Sequence, residues 1–149
     1  MQIGAPATVR KITDAAPAVI ATAPDDAWCA TFAGEGFDPA DAAHRIKALG
    51  RAVGSVYVSV READATLAVG VGAFGFGWAS IHGMRTDQRH RGRGLARRVL
   101  AGIADAVMAR KFDRIFLQVE EANHAARALY RRAGFEPAWR YFYWRRRSG

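Results

Sequence analysis

The chain has 149 residues, and 22 Lys plus Arg against 14 Asp plus Glu give a formal net charge of +8 and a pI near 10.5. With 50% of residues apolar and 24% charged, one domain with a real core is expected, and disorder, collagen and a coiled rod are excluded. A single cysteine, Cys29, excludes an intrachain disulfide framework and a four-cysteine zinc site, and points to a reducing compartment.

Met1 to Thr13 mixes Gly, Pro and charged residues without the unbroken apolar run of a signal peptide, so a cytosolic (cytoplasmic) protein is expected. Within it, Ala7–Thr13 reads as a short first strand after a start that is free to fray. Asp25 and Asp26 follow Pro24 at a helix start that runs to about Phe32, with both carboxylates at the positive helix end. Asp38 as cap, Pro39 in the first turn and Gly50 as terminator mark a second helix containing Ile46 and Leu49. Ser55–Arg61 (SVYVSVR) has β-branched residues at alternate positions and reads as a strand. Ala65 to Met84 carries no formal charge and is as long as a membrane-crossing helix. Gly70, Gly72, Gly75, Gly77 and Gly83 break such a helix, and the Val, Phe and Trp content suits two buried strands, Thr66–Phe74 and Trp78–Arg85. Three consecutive strands predict an antiparallel meander.

Leu95, Val99, Ile103 and Val107 then recur at every fourth position, an apolar stripe on a helix ending near Arg110 and Lys111. Arg114–Val119 reads as a short buried strand, Asn123–Arg132 as a helix closed by Gly134, and Tyr141–Arg145 as a last aromatic strand. The fold class is α/β (α+β): a single domain with a mixed central sheet of about six or seven strands flanked by about four helices. His44, His90 and His124 lack metal-ligand spacing and the carboxylates form no calcium loop, so no metal is expected. Cys29 reads as a buried structural thiol.

The informative segment is Arg85 to Arg98, RTDQRHRGRGLARR, where Gly92 and Gly94 immediately precede a helix and arginines flank them. A helix start presents N–H groups that lack intrahelical partners, and glycine lets a phosphate approach them closely. The arginines add fixed positive charge at the same point, which suits a pyrophosphate. No Lys and Ser/Thr follow Gly94 as a P-loop requires, and the third glycine of the dinucleotide pattern is absent.

Arg91, Gly92, Arg93, Gly94, Leu95 and Ala96 match Arg/Gln-x-x-Gly-x-Gly/Ala, the phosphate loop of the GNAT superfamily, and Arg89 to Gly94 fits in a second register. After the LQV strand, Asn123, Ala126, Leu129, Tyr130, Gly134 and Phe135 resemble the same family's Asn-x-x-Ala-x-x-Leu-Tyr then Gly-Phe signature. Both blocks stand in the family's order and spacing, and the resemblance covers Trp78 to Phe135. It implies a GNAT-like single domain and an acetyl-CoA-dependent N-acetyltransferase, with residues 52–149 as the CoA-binding core. Residues 1–51, which show no family motif, would shape the acceptor side.

The resemblance further implies that backbone amides from Arg91 through Ala96 hold the CoA pyrophosphate, assisted by Arg97 and Arg132. Met84, Arg85 and Thr86 would pair through their backbone with the pantetheine arm, with Asn123 and Ala126 beside it. Tyr130 aligns with a tyrosine that in many relatives donates a proton to the departing thiolate. Relatives often place a carboxylate base on the strand before the phosphate loop, and Trp78 to Met84 contains neither Asp nor Glu. His82, Glu120 and a water chain are the candidates for the base.

The expected reaction is direct attack of an amine on the acetyl thioester in a ternary complex, with no membrane partner. The acceptor is an amine-bearing small molecule or a protein N-terminus or lysine. The aromatic C-terminal strand could sit at a homodimer surface. Two other readings stand behind this one. The net charge and the tail WRYFYWRRR suit a nucleic-acid-binding module, and a non-catalytic CoA-binding domain would keep the fold without the chemistry.

Overall fold

The computed structural model describes residues 1–34, 36 and 38–142. In chain order its elements are β1 (Gln2–Gly4), α1 (Pro6–Arg10), β2 (Val19–Ala21), α2 (Asp26–Phe32), α3 (Pro39–Leu49), β3 (Val56–Glu62), β4 (Ala65–Gly75) and β5 (Trp78–Thr86). A short 3-10 turn at Gln88–His90 follows, then α4 (Leu95–Ala109), β6 (Ile115–Leu117), α5 (His124–Arg132) and β7 (Glu136–Pro137). The strands form one seven-stranded mixed sheet in the order β2-β3-β4-β5-β6-β1-β7. Among the described residues only β5 and β6 pair parallel, which makes the mixed sheet of the α/β class expected from the sequence.

The meander β3-β4-β5 forms as its alternation predicts, and the uncharged stretch is its second hairpin. Among the described residues no helix is long and apolar enough to cross a membrane. Strand alternation sends Val69 and Val71 to one face, where Trp28, Phe32 and Tyr57 close a core beneath α2. The opposite face carries the larger core, on which the predicted stripe Leu95, Val99, Ile103 and Val107 is buried throughout. Cys29 packs half-buried at the edge of the α2 core, less enclosed than its sequence context implies.

Small residues on β4 let α4 lie close to the sheet. A Cβ built on Gly70 would stand 2.6 Å from Val99 Cγ1 and 2.7 Å from Met84 Sδ. Gly70→Val is therefore expected to destabilise the protein by about 1–3 kcal/mol through overpacking, read as a lower midpoint in urea at unchanged slope. A midpoint equal to that of the parent would show that α4 shifts freely.

The caps behave as read. Asp25 Oδ1 accepts from the Trp28 amide at 2.8 Å, and Asp38 Oδ1 accepts from Ala40 at 3.0 Å. Arg61 also pairs with Asp25 at 2.7 Å; the Trp28 amide and this guanidinium hold the Asp25 carboxyl below the usual range.

The termini depart from expectation. Ala7–Thr13 is not a strand: Pro6 fixes a helical φ at the first turn of α1, Val9 is fully buried, and Arg10 reaches Asp105 of α4 at 2.7 Å. That helix raises the count of α-helices among the described residues to five. Nor does the start fray, because β1 is hydrogen-bonded between β6 and β7. The position beside β6 is thus filled from the start of the chain. Tyr141 and Phe142 lie in no strand, and the remainder of the expected last strand, 143–145, lies outside the described residues.

Candidate functional site

The parallel pairing of β5 with β6 ends at Ile81 opposite Leu117, while β5 continues to Thr86. Beyond that point the two strands separate and leave a cleft. On its other side β5 carries a bulge: Val71 pairs with His82 and Val69 with Arg85, so Gly70 faces both Gly83 and Met84. Gly83 takes φ +61, a conformation that favours glycine. The cleft has a volume of about 740 Å³. Its walls include His82, Met84 and Arg85 of β5, Glu120 and Asn123 after β6, Ala126 and Tyr130 of α5, and Phe32, Arg45 and Leu49 from α2 and α3.

The loop ahead of α4 forms a second, shallower groove of about 300 Å³. Gly94 is the N-cap of α4 at φ +73, and Gly92 has φ +79. No side chain caps the helix start, and a Cβ on either glycine would meet nothing within 4 Å. The orphan N–H groups of the first turn are therefore open to a ligand, and the positive helix end favours an anion. Thr86, Arg91, Gly92, Gly94, Leu95, Ala96 and Arg97 line this groove, and Ala126 lines both cavities, so groove and cleft adjoin.

Two arginines singled out in the sequence point elsewhere. Arg93 donates to both oxygens of Glu62 at 2.7 and 2.9 Å, and this bond lowers the Glu62 pKa. Arg132, in the last turn of α5, lines neither cavity. Arg85 has its pKa lowered by burial, with the charges of Arg91 and Arg45 adding to the effect, so three guanidinium groups make one electropositive zone at the cleft.

Tyr130 is 8% exposed and its ring meets Phe135 edge-on at 5.9 Å. Burial raises its pKa, which keeps the phenol protonated well beyond neutral pH. His82 is open to solvent at the cleft, yet the surrounding walls lower its pKa below the ordinary imidazole value, which favours the neutral ring at pH 7. Glu120 is exposed on the facing rim. Asn123 spends its side-chain oxygen as the N-cap of α5, accepting from Ala126 at 3.1 Å, while still lining the cleft.

The sequence reading missed Ser80, whose hydroxyl lies 2.8 Å from His82 Nε2. The signal was present, since residues two apart on a strand share a face. It also missed Phe32, Arg45 and Leu49 as cleft walls, because their side chains reach the site only through the packing of α2 and α3 on the sheet.

Residues 12–135 match the model of the acetyltransferase (GNAT) family. The chain belongs to this family. It is 38% identical over 85 residues to a mycothiol acetyltransferase of Clavibacter michiganensis, an alignment spanning 52% of this chain and 26% of the relative. The chain thus spans about a quarter of the length of that curated GNAT relative. Among solved structures, a functionally unknown conserved protein from Staphylococcus epidermidis superposes with TM-score 0.71 at 8% identity, over 91% of this chain and 55% of the other. AAC(6')-Iy in complex with the bisubstrate analog CoA-S-monomethyl-acetylneamine superposes with TM-score 0.69 at 12% identity, over 89% and 99%. At these identities the two structures show the shared GNAT fold.

Proposed function

We propose that this chain is an acetyl-CoA-dependent N-acetyltransferase that passes an acetyl group directly to a small-molecule amine in a ternary complex. One observation carries the reading: an uncapped, glycine-opened helix start adjoins a cleft lined by the buried Tyr130 phenol and the His82 imidazole. The amides from Arg91 to Ala96 and the side chains of Arg91 and Arg97 would hold the diphosphate. The edge of β5 from Met84 to Thr86 runs on beyond its last pair with β6 and would take the pantetheine arm there. Bound there, acetyl-CoA supplies an activated thioester carbonyl for attack by an amine.

The remaining chemistry belongs to the chain. Of the candidate bases, His82 is placed on the α2–α3 side of the sheet and is neutral, so it takes up the proton shed by the attacking nitrogen. Tyr130 gives its proton to the departing sulfur. The curated relative carries the name mycothiol acetyltransferase, and AAC(6')-Iy was solved with an acetylneamine analog; both names support a small amine as acceptor here.

The test is thermal unfolding with and without acetyl-CoA, followed by an amine panel monitored for free CoA thiol. Ligand at a hundredfold its Kd is expected to add about 2.7 kcal/mol of stability. At roughly 2–4 °C per kcal/mol for a domain of this size, the midpoint rises by about 5–10 °C. Oligonucleotide binding that weakens steeply with salt, with no response to acetyl-CoA, is the outcome that overturns the proposal.

A further inference from the structure

We infer that Ser80 is a positioning residue that holds His82 in the tautomer able to accept a proton. The inference rests on the reading of His82 as the base. Strand alternation puts Ser80 and His82 on the same face of β5, opposite Ala73 and Val71 of β4. Ser80 is 8% exposed and does not line the cleft, whereas His82 does. The serine therefore stands behind the imidazole, with Oγ 2.8 Å from Nε2.

A neutral imidazole carries one N–H and one lone pair, and a base needs the lone pair on the nitrogen that meets the acceptor. The Ser80 contact occupies Nε2, so Nδ1 is the nitrogen left for chemistry. With Oγ accepting from Nε2–H, the lone pair stays on Nδ1. If Ser80 donated instead, Nδ1 would carry the proton and could accept nothing.

The proton balance follows. As the C–N bond forms and the C–S bond breaks, the proton lost by nitrogen goes to Nδ1 and the sulfur receives the Tyr130 proton. His82 then releases its proton to solvent, and the phenolate regains one. During the step the ring is an imidazolium, and its Nε2–H to Oγ bond strengthens because the donor is charged. Ser80 thus favours the protonated ring relative to a site with no acceptor at Nε2. Among the described residues, the charged and titratable groups that share the cleft with His82 are Arg85 on the same strand, Arg45 of α3, Glu120 after β6 and Tyr130 of α5.

The experiment compares Ser80→Ala, Ser80→Thr and His82→Gln by kcat/KM against pH, with 15N NMR of the His82 ring as a readout independent of turnover. Ser80→Ala is expected to lower kcat about tenfold, to move the acid limb to lower pH, and to leave acetyl-CoA-induced thermal stabilisation unchanged. Ser80→Thr, which keeps the hydroxyl, restores both rate and limb. NMR is expected to show the Nε2–H tautomer in the parent protein at neutral pH and a mixture in Ser80→Ala. Finding Nδ1–H in the parent protein, or an unmoved acid limb in Ser80→Ala while His82→Gln abolishes that limb, overturns the role of Ser80 and leaves the base in place. An acid limb that survives His82→Gln overturns the base and Ser80 with it. Loss of acetyl-CoA binding in the parent protein overturns the enzymatic reading itself.

Discussion

Replacing Tyr130 with Phe is expected to lower kcat by about 10²-fold or more while acetyl-CoA stabilises the variant as well as the parent protein. The phenol is buried and its pKa is raised, so it remains an acid through neutral and mildly alkaline pH, where a thiolate leaving group most needs a proton. The substitution removes one oxygen and keeps the ring, so the edge-on contact with Phe135 persists. Steady-state rates with the best amine and thermal midpoints with acetyl-CoA check both halves. Full turnover at every pH would remove Tyr130 from the mechanism. The pH profile of the parent protein carries a second sign. Because burial lowers the His82 pKa, the acid limb should lie below the ordinary imidazole range, and the alkaline side should stay flat until Tyr130 ionises above the usual phenol range. The same depression works against stability in acid. Protonation favours the unfolded chain, whose His82 titrates near the ordinary imidazole value, so the contribution of this group falls as pH drops through about 6.5.

What the sequence makes legible follows from how local each signal is. The α4 stripe, the Asp25 and Asp38 caps and the β3-β4-β5 hairpins depend on neighbours within a few positions, and each appears where its residues predict. Strands β1, β2 and β7 are two or three residues long and exist only through partners far along the chain, Gln2 with Leu117 and Val19 with Ser59 among them. No periodicity can show in so short a run. Ala7–Thr13 reads as a strand for a related reason: the helix α1 is held by the burial of Val9 once α4 supplies the surface that covers it. Around the cleft, the β5 and α5 residues could be named from the resemblance to the GNAT family. The α2 and α3 walls could not, because the sequence says that those helices form but not where they dock. Ser80 lay between these cases, readable from alternation once His82 was in view.

Gly134→Ala is expected to damage the fold through two separate costs. Gly134 follows α5 at φ +90, where an L side chain costs about 1–2 kcal/mol. Its amide donates to Arg131 O at 3.1 Å and the Phe135 amide to Tyr130 O at 2.9 Å, the paired bonds that close a helix through a left-handed residue. A Cβ there would also stand 2.6 Å from Thr8 Cγ2 of α1, a collision of the overpacking kind worth about 1–3 kcal/mol. The two costs add because one is intrinsic to the backbone and the other arises from a neighbouring element. Together they come to about 2–5 kcal/mol, and a fall of about 4–20 °C in the thermal midpoint is expected. Since the Tyr130 carbonyl is tied into the same turn, kcat should fall as well. The double variant Thr8→Ser with Gly134→Ala separates the terms: removing Cγ2 relieves the collision and leaves the φ strain, so the midpoint should recover only part of the way. A double variant no better than Gly134→Ala alone would mean that α1 gives way under load, and that the buried Val9 and the Arg10 pair with Asp105 do not hold it against α4.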